Sequence, residues 1–475
     1  MNRMRRPFPD WSKVATAWLP FADAASADLP LARLLRLALF QVSVGMTIVL
    51  LNGTLNRVMI VELGTPAWLV APMIALPVLI APFRALIGHR SDTHRSVLGW
   101  RRVPYIWFGT LMQFGGLAIM PFALLLTSAP ETFAVGVAAS ACAFLLAGAG
   151  LHTTQTAGLA LATDLAPADK RPRAVALLYV MLLVGMMIAS LAIGSLLLDF
   201  QPTRLVQVIQ GAAVLVFGLN LVALWKQEAR NAAVVSADTP RQPFSQVWGD
   251  FVSEARTVRL LVAIGLGAGA FAMQDALLEP YGGEVLGLSV GATTALTGAW
   301  ALGTLVGLAM TARRLDQGMD PLRIAGFGLV AGIAAFMMVI FAAPLGLPGL
   351  LALGAIAIGF GVGLFSVGTM LAAMALAREG TSGIALGAWG AVQASAGGIA
   401  IGLGGILRDL ISTYAVGEGL GPTMASRGTG YAAVYVIEII LLLATLVVIG
   451  PLVGRDRNPA PARASARFGL SEFPI

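Results

Sequence analysis

The sequence predicts an all-α polytopic membrane protein with twelve transmembrane helices in two six-helix halves. Three observations predict it: twelve apolar stretches of spanning length, basic residues gathered on one side, and a repeat that relates the halves of the chain. A helix needs about 20 mostly apolar residues to cross a hydrocarbon core of roughly 30 Å. Stretches that meet this requirement run over 37–56, 67–87, 104–126, 133–163, 174–198, 205–225, 258–278, 288–311, 323–343, 349–376, 384–407 and 431–453. With 57% hydrophobic and 12% charged residues, the chain has more apolar surface than a soluble core of its length needs. Its 55 glycines fit the same reading, because small residues let helices approach closely in lipid.

Residues 1–36 precede the first span, and residues 1–30 lack the continuous apolar run of a cleavable signal. Trp11, Val14 and Trp18 recur at helical spacing behind Arg5 and Arg6, which fits a short helix on the membrane surface. A polar tail holding two tryptophans fits those residues as well.

Placing both termini in the cytoplasm puts 27 of the 31 Lys and Arg residues on the inside and leaves Arg57, Arg204, Arg408 and Arg427 outside. That split satisfies the positive-inside rule and makes the net charge of +7 mainly topological. The basic residues form no continuous stripe, so a nucleic-acid partner is not expected. Cys142, the single cysteine, lies within a span and supports neither a disulfide framework nor a zinc site.

The polar segment 226–257 is a cytoplasmic linker between an N-terminal half, 37–225, and a C-terminal half, 258–453; residues 454–475 form a cytoplasmic tail. An offset of 223 residues lays Leu63-Gly64 on Leu286-Gly287, and one of 213 lays Gly148 and Gly150 on Gly361 and Gly363. An offset of 210 lays Gly194 and Asp199 on Gly404 and Asp409. The loop Gly88-His-Arg90-Ser-Asp92, followed by Arg95, Arg101 and Arg102, has its counterpart at Ala312 to Asp316. A small residue followed by Asp and flanked by Arg resembles the loop signature of the major facilitator superfamily, whose plan is two parallel six-helix halves around a midplane site. Asp92, paired with a nearby Arg or a helix end, would then hold one membrane face closed.

Ionisable and amide groups inside a span are expensive, so each is a candidate for a site. Asn52 and Asn56 share a face of the first span, and the 223 offset carries them onto Asp275 and Glu279 of the seventh, beside Gln274. Both pairs occupy helices that face the centre in this plan. The fourth span holds the densest polar run, with His152, Gln155 and Thr156 within one helical turn. The 213 offset places Phe365 opposite His152, so a site there would be asymmetric. Hydrogen bonding to neighbouring helices explains these residues equally well. No phosphate-binding loop, zinc-protease helix, nucleophile elbow or CxxC is present, and neither an enzyme nor ATP-driven transport is expected.

Longer strings are more specific. Gly53-Thr-Leu-Asn-Arg-Val-Met-Ile-Val-Glu-Leu-Gly64, Arg90 through Trp107, His152 through Asp164, and Leu278-Glu-Pro-Tyr-Gly-Gly-Glu-Val-Leu-Gly-Leu-Ser-Val290 resemble the PucC/LhaA family of photosynthetic bacteria. The resemblance runs from about Leu19 to the twelfth span. It implies an assembly factor for light-harvesting antenna complexes in the intracytoplasmic photosynthetic membrane, a facilitator-fold protein that binds bacteriochlorophyll and delivers it to antenna polypeptides. Reaction-centre assembly or pigment-synthesis machinery are further implied partners, and membrane lipid surrounds it. The pigment magnesium takes an axial ligand, for which His152 is the imidazole candidate and Asn52, Gln155 and Asp275 the oxygen candidates. A proton-coupled transporter of the same fold and a pigment-free scaffold for antenna helices are the alternatives.

Overall fold

The computed structural model describes residues 29–80, 100, 102–167, 170–228, 253–375, 382–417, 421 and 425–454. These form twelve helices and, among the described residues, no strand. In chain order they are α1 Leu31–Glu62, α2 Ala67–Ile80, α3 Val103–Thr127, α4 Phe133–Leu165, α5 Arg171–Leu196, α6 Pro202–Leu224, α7 Ala255–Glu284, α8 Val290–Asp316, α9 Pro321–Ala342, α10 Pro348–Ala375, α11 Ser382–Val416 and α12 Gly428–Ile449. Eleven are long and apolar enough to cross a membrane, and α2 is a shorter apolar helix over its described length.

The halves repeat in three dimensions. Within the first half α1 packs on α5 and α6, α3 on α4 and α6, and α2 on α4; within the second α7 packs on α11 and α12, α9 on α10 and α12, and α8 on α10. Two seams join the halves, α5 against α8 and α2 against α11, and each is the repeat equivalent of the other. Gly194, which the offset aligns with Gly404, faces Gly291 across the first seam, while Gly404 approaches Met273 of α7. Leu63-Gly64 and Leu286-Gly287 close corresponding turns, with φ of 64° and 66° at the glycines, a region that favours residues without Cβ.

Three expectations change. The first and seventh spans extend past 37–56 and 258–278 to Leu31–Glu62 and Ala255–Glu284, because both helices change winding and continue. The eleventh extends past 384–407 to Val416. Arg57 and Arg408 are not loop charges: both lie within helices, 4% and 7% exposed, because carboxylates accompany them into the interior. Arg57 pairs with Glu62 and donates to the Leu288 carbonyl at 3.0 Å. Arg408 pairs with Glu284 and Asp409 and stacks on Tyr431, 4.3 Å from the ring centroid.

Gly88, Arg90, Asp92, Arg95 and Arg101 of the conformational loop lie outside the described residues, as do the N-terminal tryptophans and the tail. Asp316 is the last residue of α8. Arg102 is engaged within the described residues, its Nε donating to Asp164 at the end of α4 at 3.0 Å. Glu228, just past α6, accepts from the backbone N–H groups of Arg102 and Val103 at 3.0 and 2.9 Å. A carboxylate at a helix N-terminus satisfies orphan donors and the helix dipole together.

Candidate functional site

The first and seventh helices both lose regular α winding at the same place in the repeat. In α7 the cause is Pro280. Proline has no N–H and its ring collides with the carbonyl four residues back, so Met273–Ala276 tightens to a 3-10 turn and the Ala276 carbonyl is released. Asn56 of α1 takes it, donating Nδ2 to the Ala276 oxygen at 3.0 Å, and the same nitrogen lies 3.1 Å from the Asn52 carbonyl. In α1 the winding widens to π turns over Val49–Leu55 and Val58–Glu62. A side chain inserted into the backbone ladder is a recognised cause of such irregularity.

Between the two breaks lies a cavity of about 200 Å³. Its polar side is Asn52, Gln274, Asp275 and Glu279 with Thr297 and Trp300 of α8; Ile48, Leu182, Leu183, Met186 and Leu278 make the other side aliphatic. Glu279 is 3% exposed. Its Oε1 accepts from the Thr297 hydroxyl, and its Oε2 meets no hydrogen-bond donor among the described residues. Asp275 accepts from the Gln274 amide. Gly53 lets α1 approach, since a Cβ there would overlap the Glu279 carboxyl and lie 2.9 Å from the Thr297 hydroxyl.

Beyond the cavity, toward the ends of α1 and α7, the halves are fastened together. The Thr54 and Thr294 hydroxyls are 3.1 Å apart. Ser190 donates to the Thr294 carbonyl and accepts from Gly298 N–H at 3.0 Å. Asp409 of α11 caps α2 by accepting from Trp68 N–H at 2.8 Å. A pocket at the level of broken helices, closed at one end by paired polar groups, has the form of a small-ligand site.

The structure thus brings together Asn52, Gln274, Asp275 and Glu279, with Asn56 bridging the halves beside them. It does not bring the polar run of α4 to this cavity. Gln155 donates to Gln41 of α1 at 3.4 Å, within a buried amide layer where Asn220 joins Ser43 and Gln113. His152 and Thr156 are half-buried on α4 and do not line the cavity. Phe365, the repeat counterpart of His152, packs on Phe271 with ring centroids 5.8 Å apart.

Sequence reasoning missed Thr297, Trp300 and Glu438. Glu438 of α12 is fully buried beside the Gln274 backbone, and neither carboxyl oxygen makes a well-formed hydrogen bond among the described residues. As an acid inside the twelfth span, it carries the same signal that singles out Asp275. Thr297 and Trp300 carry no such signal.

A family model described as PUCC protein matches residues 54–457. A Rhodobacter capsulatus relative described as an uncharacterized protein in the puhA-bchM intergenic region is 54% identical over 467 residues, covering 97% of this chain and 98% of the relative. Protein PucC of Rhodovulum sulfidophilum is 55% identical over 422 residues, covering 86% and 92%. The bacteriochlorophyll synthase 44.5 kDa chain of Rhodobacter capsulatus is 30% identical over 372 residues, covering 77% and 84%. Among solved structures, a bacterial homolog of the human lysosomal transporter Spinster, inward-facing and unoccupied, superimposes with a TM-score of 0.66 at 15% identity, over 88% of this chain and 95% of that one. The fold is that of the major facilitator superfamily.

Proposed function

The chain belongs to the PUCC protein family, and on that premise we propose that it is an assembly factor for light-harvesting antenna complexes, carrying bacteriochlorophyll to antenna polypeptides in a bacterial photosynthetic membrane. The observation that carries this reading is the high identity to proteins named PucC across most of the chain. Distant similarity to a chain named for bacteriochlorophyll synthase supports the pigment. The multi-pass fold is a transporter's, and the proposal involves no covalent step.

A bacteriochlorophyll is a flat apolar macrocycle with a long hydrocarbon tail, and it partitions into lipid. The cavity of about 200 Å³ falls below the roughly 300–1,000 Å³ of sites for drug-sized ligands. The proposal therefore lays the macrocycle outside this cavity, with half-buried His152 of α4 as the candidate ligand to magnesium.

Purification from the native membrane with mild detergent tests this. The expected product shows bacteriochlorophyll absorption and antenna polypeptides among the co-purifying proteins. A colourless product that retains antenna polypeptides would favour the scaffold alternative, and one with neither would overturn the proposal. His152→Leu should lose pigment or shift its absorption; wild-type content and spectrum would remove His152 as the ligand.

A further inference from the structure

We propose that the cavity between the breaks of α1 and α7 binds a small organic cation of alkylammonium type, its charged end between Asp275 and Glu279 and its apolar body on the aliphatic wall. This is separate from pigment carriage.

The first observation is a buried acid of the cavity wall with one carboxyl oxygen left without a donor among the described residues. The Oε2 of Glu279 lacks a hydrogen-bond donor among the described residues, although its carboxyl is almost completely enclosed. Glu438 of α12, fully enclosed, faces Asp275 and has the Gln274 backbone N–H beside it. The terminal guanidinium nitrogens of the arginines at this end are bonded elsewhere, although the Nε–H of each has no acceptor among the described residues. Arg57 exerts its charge on Glu279, yet its guanidinium is bonded to Glu62 and the Leu288 carbonyl. Arg408 is held by Glu284 and Asp409. A carboxylate taken out of water without a partner is costly, so positive charge entering the cavity gains what these side chains lack.

The second observation is the shape and chemistry of the remaining wall. Five aliphatic side chains face the acids, which suits a hydrocarbon body and not a hydrated metal ion that demands oxygen ligands all round. Among the described residues no three His, Cys, Asp or Glu side chains gather as a metal site. Trp300 lines the pocket, and indole is the best aromatic partner for a cation. The volume equals about seven waters at roughly 30 Å³ each, room for a short-chain amine. An anion would meet two carboxyl groups, and a sugar would leave its hydroxyls against the aliphatic side.

The test is thermal unfolding of the purified full chain in detergent with propylammonium chloride, sodium propionate or magnesium chloride at matched ionic strength. A ligand that binds the folded state raises the unfolding temperature with its concentration. Propylammonium should raise it saturably, propionate should not, and magnesium should do no more than the ionic-strength control. Asp275→Asn combined with Glu279→Gln should abolish the response. Should that variant fail to fold, Glu279→Gln alone should raise the half-saturating concentration at least tenfold. A flat response to propylammonium, an equal response to propionate, stabilisation by magnesium alone, or a response that survives the acid substitutions would each overturn the proposal. The pigment reading stands or falls separately, on absorbance.

Discussion

The breaks in α1 and α7 occupy equivalent places in the repeat, and they resolve the same geometric problem with different chemistry. In α1 the turns widen and the side chains at the two key positions are amides, Asn52 and Asn56; in α7 they tighten and the matching side chains are acids, Asp275 and Glu279. Asn56 spends its amide on carbonyls, one on its own helix and one released by Pro280 across the seam. Glu279 instead faces the cavity with one oxygen bonded to Thr297. The comparison teaches that the repeat preserves where the backbone yields while the side chains there diverge. The amide side bonds the backbone, and the acid side lines the cavity.

The acid side depends on the arginines of the closed end staying occupied, so the largest effect is expected at Arg408. It is buried with Glu284 and Asp409 and stacks on Tyr431. Arg408→Ala leaves those acids without it, and breaking a buried pair this way costs about 3–5 kcal/mol. Denaturant unfolding in detergent should read that loss. The parallel change Arg57→Ala should cost less, because Glu62 is 33% exposed and can turn to water. Equal losses would mean that the two pairs are buried alike and would blunt the contrast.

Next comes the close approach itself. A Cβ at Gly53 would meet the Glu279 carboxyl and the Thr297 hydroxyl. Gly53→Val should therefore push α1 away from α7 and α8 at a cost of about 1–3 kcal/mol, the range for overpacking. The same unfolding measurement applies, and crosslinking between cysteines placed on α1 and α8 should fall. Wild-type stability and crosslinking would show that the helices separate without penalty.

Most of the fold was legible in the sequence because lipid imposes a length and a polarity on each helix, and because the repeat supplied an internal check. The correspondence of Asn52 and Asn56 with Asp275 and Glu279 survived into the structure as two equivalent breaks. Other features were hidden for physical reasons. Hydropathy counts the charge on Arg57 and Arg408 and cannot count the carboxylates that let them stay inside. A dense polar run on one helix does not say which neighbour each residue faces, and Gln155 turned to Gln41 while the cavity formed elsewhere. Trp300 and Thr297 join the site from the next helix, at a distance in sequence that no local pattern marks. Pro280 was visible, but its consequence lies in the other half of the molecule, at Asn56.

That link gives the smallest and sharpest test. Asn56→Leu removes the donor to the Ala276 carbonyl and should cost about 0.6–2 kcal/mol, the scale of hydrogen bonds between membrane helices. Gln155→Leu removes a longer contact, 3.4 Å to Gln41 inside one half, and should cost no more than about 0.6 kcal/mol. Asn56 takes that carbonyl because Pro280 deprives it of its helical N–H. Pro280→Ala restores the missing N–H, so in that background the carbonyl can be bonded within α7. The penalty of Asn56→Leu should then shrink, and a double-mutant cycle measures by how much. An unchanged penalty would mean that Asn56 matters through packing, and that the broken helices are not coupled through the carbonyl that proline frees.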